Sequence, residues 1–390
     1  MKSESTESQV NTRATSWLAL LTVTVLAYTT AAQSPWPAEP LADAENLTSL
    51  EGPGTNDFHE DLSGACYDAV ADRVWICRNG PGSAASKIWS LVRSDSGSWE
   101  IEYIDGQRCE WTGFGDLEGI TMAEEGTRRV LCVIEGIDRI REYDLSIPGQ
   151  KDLLTQWNIS QWTGADGGAG AEGITLVPDD SLVEHGFVDA SGAPRTSLLG
   201  MGGLVMIGHQ EGGYIHVFDL GQGNDNVDFV GTYETSRAET CGLEFDRSTG
   251  LLYAWHDSSF DELEVLCLDS SRGTDGTRRF QTFAMYDAPF SGSIEGMAIV
   301  PGSACKEGAR EILVTVDDGG ENSFFRFTGL DVHCATCPAD FNEDMTVNGE
   351  DLAVLLGAWN RDLPRYDLNE DGLIDGGDLA MLLGAWGACW

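Results

Sequence analysis

The stretch AEGITLVP (Ala171–Pro178) decides the fold, because the chain repeats its pattern. Related segments read LSGACYD, LEGITMA, TCGLEFD and IEGMAIVP. Aligned on the shared glycine, the five fall at Gly64, Gly119, Gly173, Gly242 and Gly296, with intervals of 55, 54, 69 and 54 residues. The second unit continues with RRVLCVIEG, RIREYDLS and KDLLTQWNI, each alternating or running apolar between turns rich in Gly, Asp and Ser. That is the signature of strands. Four strands repeating about every 54 residues make a propeller blade. The expected fold is therefore mainly β, a five-bladed β-propeller over residues 34–333, or a six-bladed one if residues 34–60 hide a degenerate unit. The fifth unit shows only three strands before Cys334, so a segment near Leu47–Leu50 is expected to supply the missing outer strand and close the ring. The long interval contains residues 181–199, which read as a loop inserted in one unit.

Composition narrows the partners. The chain has 390 residues, a formal net charge of -41 and a pI near 4.1. That excludes nucleic acid and anionic lipid as natural partners and favours divalent cations. Residues 1–33 read as an export signal: Arg13 precedes an apolar run from Trp17 to Tyr28, and small residues surround Ala32. No other stretch is long and apolar enough to span a membrane. The expected location is secreted, at the cell surface or periplasmic. Ten cysteines agree with an oxidising compartment. Cys66 and Cys77 would face each other across a hairpin turning near Asp72, and Cys337 and Cys389 bracket the C-terminal segment.

That segment, residues 337–390, is a tandem. DFNEDMTVNGEDLAVLLGAWN begins at Asp340 and DLNEDGLIDGGDLAMLLGAWG begins at Asp367, 27 residues later. Hard oxygen donors recur at loop positions 1, 3, 5, 9 and 12, with a backbone carbonyl at 7. The first set is Asp340, Asn342, Asp344, Asn348 and Asp351 with the Thr346 carbonyl. The second is Asp367, Asn369, Asp371, Asp375 and Asp378 with the Leu373 carbonyl. This spacing wraps Ca²⁺, which accepts 6–8 oxygens at flexible geometry. Gly372 holds the sharp turn of the second loop, where Met345 stands in the first. Leu352, Leu355, Leu356 and Trp359 recur as Leu379, Leu382, Leu383 and Trp386, an apolar face at helical spacing.

The tandem resembles a small α-helical, EF-hand-like type I dockerin, in the Cys-bracketed form of exported planctomycete-like proteins. The resemblance implies calcium-dependent folding and docking onto a cohesin-like or cell-surface receptor. Loop positions 10 and 11, which help read the cohesin in cellulosomal dockerins, are Gly349 and Glu350, then Gly376 and Gly377. Dockerins often accompany enzymes of polysaccharide catabolism. The segments LSGACYDAVADRVWICRN, DLEGITM, GAEGITLVPD and CGLEFDRSTGLLYAWHD resemble the SdiA-regulated and phytase-like or esterase-like propeller families. That resemblance implies a calcium-associated propeller.

The first strand of each blade lines the central channel, so the residue before each repeat glycine should form a ring: Ser63, Glu118, Glu172, Cys241 and Glu295. Three converging carboxylates need protons or a cation. The second strands should end on the same face, bringing Glu135, His209, Glu211, His256, Asp257, Asp317 and Asp318 to the opening. The candidate catalytic residues are thus Glu118, Glu172, Glu295, His209, His256 and Asp257, set against the alternative that these are capped strand ends and exposed turns. The leading functional expectation is a calcium-binding propeller used for binding or scaffolding and anchored by its dockerin-like tail. The alternatives are a calcium-dependent hydrolase of phytase, esterase or lactonase type, and a dockerin-borne glycoside hydrolase.

Overall fold

The computed structural model describes residues 33–52, 57–80, 86–164, 170–257, 260–273, 276–300, 310–332, 339–341, 346–361, 363, 366–369 and 371–388. The expected export signal at 1–33 lies outside them except for Gln33. So do Cys305, Cys334, Cys337 and Cys389 and the loop donors Asn342 and Asp344.

Each repeat unit forms an antiparallel run of four strands. Sheet one comprises Gly64–Asp68, Arg73–Arg78, Lys87–Arg93 and Trp99–Ile101. Sheet two comprises Leu117–Met122, Arg129–Ile134, Arg139–Ile147 and Gln150–Asn158. Sheet three runs Ala171–Pro178, Gly203–His209, Tyr214–Leu220 and Val227–Glu234. Sheet four runs Gly242–Asp246, Leu251–His256, Glu262–Arg272 and Arg278–Asp287, and is joined to sheet three by a short parallel pairing of Tyr233 and Glu234 with Arg278 and Arg279. In sheet five, Ile294–Val300, Glu311–Val316 and Phe324–Thr328 are completed by Glu45–Asn46 from the N-terminal side. There Glu45 pairs with Arg326 and Asn46 with Phe325, two residues and one residue before the expected closing segment. The following Thr48–Glu51 turn is 3-10 helix. Its Thr48 hydroxyl accepts hydrogen bonds from the amides of Ser323 and Phe324, both at 3.1 Å.

The core explains why the inner strands run apolar instead of alternating. Five apolar wedges are each filled from two successive sheets. One holds Val177, Met206 and Val217 of sheet three with Phe245, Leu252 and Phe280 of sheet four. Another joins Ala298 and Leu313 of sheet five to Ala65, Val74 and Trp89 of sheet one. Both faces of every inner strand are therefore buried. The succession of wedges returns to its start, which makes the architecture propeller-like. The repeat glycines mark where inner strands touch. A Cβ on Gly119 would lie 2.5 Å from the Glu172 carbonyl oxygen, and one on Gly296 would lie 2.7 Å from Gly64 Cα. Any side chain there would push two strands apart.

Two expectations change. The 181–199 insertion is more than a surface loop: it forms a short helix, Asp179–Glu184, and drives Leu182 and Phe187 into the wedge between sheets three and four. Phe187 packs against Tyr233, which stacks on Phe280 at 4.6 Å. The Cys66–Cys77 disulfide is absent. Gly64, not Cys66, sits opposite Cys77, and Cys66 faces Trp75. The two cysteines are thus diagonal neighbours, beyond the ~3.5–4.5 Å Cβ separation a disulfide needs. All six described cysteines are free and buried.

The tail repeats its geometry as it repeats its sequence. Helices Gly349–Gly357 and Gly376–Gly384 each start with a capping box, from Asn348 with Asp351 and from Asp375 with Asp378. Leu355 and Leu382 are fully buried in a small core with Ile374 and Phe341, whereas Leu356, Leu383 and Trp386 remain exposed. The expected single apolar face is split between core and surface. Among the described residues, no helix is long and apolar enough to cross a membrane.

Candidate metal centre at the axial opening

Glu118, Glu172 and Glu295 end up together, as the one-residue offset from the repeat glycines requires. Each immediately precedes the point where its strand abuts the next, so its side chain is directed toward the neighbouring sheet near the axis. Glu118 is 7% exposed and Glu172 8%, while Glu295 is partly buried. Burial pushes the Glu118 carboxyl up to about 8, with the charges of Glu135 and Asp116 adding to the rise. Burial, then Glu118 and Glu135, raise Glu172 well above the usual carboxylate range. Glu295 rises for the same reason, with Asp317 and Glu172 as its next perturbers. These carboxylates repel one another in a place that water reaches poorly.

Their neighbours differ in kind. Glu118 accepts a 2.5 Å hydrogen bond from Asn79 Nδ2 and another from Ser63. Glu172 has neither a hydrogen bond nor an ion pair among the described residues. Asp116, Glu118 and Glu135 bring carboxylate oxygens within 4.8 Å of one another, the one such group of three among the described residues. Asp116 and Glu135 open to solvent, and Glu135 also accepts from the Gly170 amide at 2.7 Å. Asp317 joins the rim from the second strand of sheet five, and burial with Asp61 and Asp318 raises its carboxyl. Asp257, 7% exposed, acts electrostatically on Glu295 and Cys241. Cys241 lies buried beside the ring, its thiol pushed up by burial and Glu295, which leaves no thiolate to act as nucleophile.

The histidines do not join the ring. His256 is fully buried. Its Nε2 lies 2.9 Å from Glu264, and its Nδ1 meets the Glu239 carbonyl. Glu264 is held further by the Ser236 amide and hydroxyl and by Thr282. With both nitrogens occupied inside the sheet, His256 is a packing residue, not a base at the opening. His209 places Nδ1 2.8 Å from the Glu211 carbonyl and Nε2 3.1 Å from the Thr163 carbonyl, so it too is committed to backbone. Its ring neighbour His216, 5.3 Å away, is driven down to about 4 by burial and by His209.

Sequence reasoning missed Asp116, Asn79, Glu239 and Glu244. Asp116 was findable, since it lies two residues before Glu118 at the entry to the strand Leu117–Met122. Glu244 was not. Two residues beyond Gly242, it turns inward and accepts the Tyr67 amide of sheet one at 3.3 Å, together with the Ile299 amide of sheet five. Burial holds its carboxyl well above the usual range.

In the second tail loop, the donors fit a hard cation by type and the turn fits by shape. Gly372 takes φ +90°, a conformation an L side chain resists. Asp367 accepts from the amides of Asp371 at 3.2 Å and Gly372 at 2.7 Å, and Asp371 accepts from Leu373. Asp378 accepts from Leu368, Asn369 and Asp375. Asp351 repeats the pattern toward Phe341 and Asn348, at the same 27-residue offset. The carboxylates are thus drawn onto amides. No three of Asp367, Asp371, Asp375 and Asp378 converge within 4.8 Å.

No family model matches this chain, and no curated protein matches it. Solved structures do. Sqt1 of Saccharomyces cerevisiae is 13% identical over 67% of this chain and 69% of its own, with a TM-score of 0.32. A protein from Lactobacillus plantarum is 8% identical over 65% of this chain and 63% of its own, at 0.34. A protein from Bacteroides fragilis, described as a "putative 6-phosphogluconolactonase", is 12% identical over 66% of this chain and 81% of its own, at 0.36. The propeller-like architecture is carried by the strand pairing and wedge packing of this chain itself.

Proposed function

We propose that the chain is an exported five-bladed β-propeller with a dockerin-like tail, and that calcium serves both parts. At the axial opening the ion takes the place of the protons that the carboxylates otherwise hold. In the tail it draws Asp367 and its loop partners off the amides, with Asp340 as the matching donor of the first loop. The protein then acts as a binding or scaffolding unit, presented by docking of the tail onto a cohesin-like or cell-surface partner. Glu172 carries the axial half of the reading. A carboxylate 8% exposed, with no hydrogen-bond or ion-pair partner among the described residues and beside Glu118 and Glu135, is the environment a hard cation relieves. The exposed apolar residues Leu356, Leu383 and Trp386 support the docking half.

Equilibrium dialysis against labelled calcium tests both halves. Glu118→Gln with Glu172→Gln should lose one ion per chain, and Asp340→Ala with Asp367→Ala should lose the tail's ions while keeping the axial one. Unchanged stoichiometry in the first variant removes the axial site. The solvent-open Asp116 and Glu135 favour one second reading, a calcium-dependent hydrolase working at that mouth. Turnover of a phosphoester, ester or lactone that disappears with Glu118→Gln would replace scaffolding by that chemistry.

A further inference from the structure

Between sheets two and three lies an open groove of about 550 Å³, within the ~300–1,000 Å³ range of small-ligand sites. One wall is the outer strand of sheet two, Gln150–Asn158, and the other is the turn from Gly223 to Val227 in sheet three. The floor includes Trp162 of the short helix Ser160–Thr163. We propose that this groove binds a neutral oligosaccharide, at a site separate from the axial carboxylates.

The lining chemistry selects the ligand. In a chain of net charge -41, the groove carries, among the described residues, one carboxylate, Asp225, and one guanidinium, Arg139. That balance attracts neither a metal ion nor an anion. The rest of its polar surface is dominated by amides. Gln156, Gln161 and Asn226 make no side-chain hydrogen bond among the described residues, and neither do Arg139 and Asp225. Each primary amide offers both donors and an acceptor, the complement of vicinal hydroxyls, which also donate and accept. A sugar additionally presents an apolar C–H face, and Trp162 provides the matching surface. Its ring is held by a stack on Phe229 at 5.4 Å and 20° and by an edge contact with Phe218 at 5.6 Å. A rigid aromatic with its own packing loses little conformational freedom on binding. Among the described lining residues there is a single carboxylate and not the pair used in glycoside hydrolysis, so the inference is of binding.

The test uses the full chain in chelator, where axial calcium contributes nothing and the two proposals stand or fall apart. Cello-, laminari-, xylo-, manno- and malto-oligosaccharides are titrated calorimetrically. At least one should bind. Gln156→Ala with Gln161→Ala, both at the surface, should weaken that binding at least tenfold without moving the melting temperature. Trp162→Ala should do the same or more, and the double amide variant keeps the test decisive if the tryptophan change unfolds the protein. Absence of binding across the panel overturns the proposal. Equal binding by wild type and the amide variant also overturns it, as does a peptide strand that pairs with the outer edge of Gln150–Asn158 in place of any sugar.

Discussion

The axial opening and the tail loops both concentrate acids, yet they neutralise them in opposite ways. In the tail, Asp351 and Asp378 each accept two or more backbone amides, and Asp367 does likewise. At the opening, Glu172 accepts nothing and Glu118 leans on Asn79 and Ser63. The difference follows from backbone geometry. A loop entering a helix exposes unbonded amides to any nearby carboxylate. An inner propeller strand commits most of its amides to the ladder, so acids placed there find fewer of them: Glu244 reaches those of Tyr67 and Ile299, and the Glu172 carboxylate reaches none among the described residues. An acid without such amides is left to protons, a guanidinium or a metal.

A buried acid that did find a guanidinium gives the largest effect. Asp246 pairs with Arg310, which is 1% exposed and also donates to the Val332 carbonyl. Arg310→Leu leaves Asp246 without its charge partner, held only by Ser248 and Thr249, and should cost about 3–5 kcal/mol in chemical denaturation. A loss below 1 kcal/mol would mean that buried acids here need no partner. Next comes the opening itself. With the tail's ions removed from both proteins by Asp340→Ala with Asp367→Ala, calcium at a hundredfold excess over the axial dissociation constant should add about 2.7 kcal/mol where Glu118 and Glu172 are intact and nothing where both are Gln. Equal calcium stabilisation of both proteins breaks the contrast at its stronger end.

Glu244 sharpens the contrast by pH. Its folded value is raised, so the stability it contributes is complete below its ordinary value near 4.5 and is lost as pH rises toward the folded value. Glu244→Gln keeps acceptance from Tyr67 and Ile299 and removes the ionisation. The variant should match wild type at pH 4 and gain on it above, by up to about 1.4 kcal/mol per pH unit within that window. Parallel stability curves would show that Glu244 ionises at no cost. In the tail, Asp378→Ala removes three amide bonds and a capping box, for about 1–2 kcal/mol of helix stability seen by circular dichroism of the metal-free protein. The smallest effect belongs to Leu356→Ser with Leu383→Ser. Both residues are more than half exposed, so stability should change by less than about 0.5 kcal/mol while partner capture falls.

What was legible in the sequence followed strict spacing. The repeat glycines marked where inner strands touch, and the residue before three of them marked the trio Glu118, Glu172 and Glu295. The 27-residue offset fixed the paired helices and their caps. What failed depended on strand parity and register. WHDSS at a strand end reads alike whether His256 or its neighbour faces the opening, and the ladder turned His256 inward. Cys66 and Cys77 missed each other because the hairpin register sets Cys77 against Gly64. Glu244 was illegible for a different reason: its partners come from sheets one and five, contacts across the axis that no local pattern encodes.

The clasp that finishes sheet five has a consequence for assembly. Thr48 and Phe324 stand 276 positions apart, and Glu39 holds Thr328 across 289. The latch cannot fasten until almost the entire body has been synthesised. Holding its first half in reserve leaves the earlier blades as an open arc, with loop-closure entropy deferred to one late step. A chain threaded outward through a narrow pore gains from this, because it cannot lock prematurely. The same arrangement concentrates vulnerability, since a single protease cut between the latch and sheet one would separate the last blade from its fourth strand.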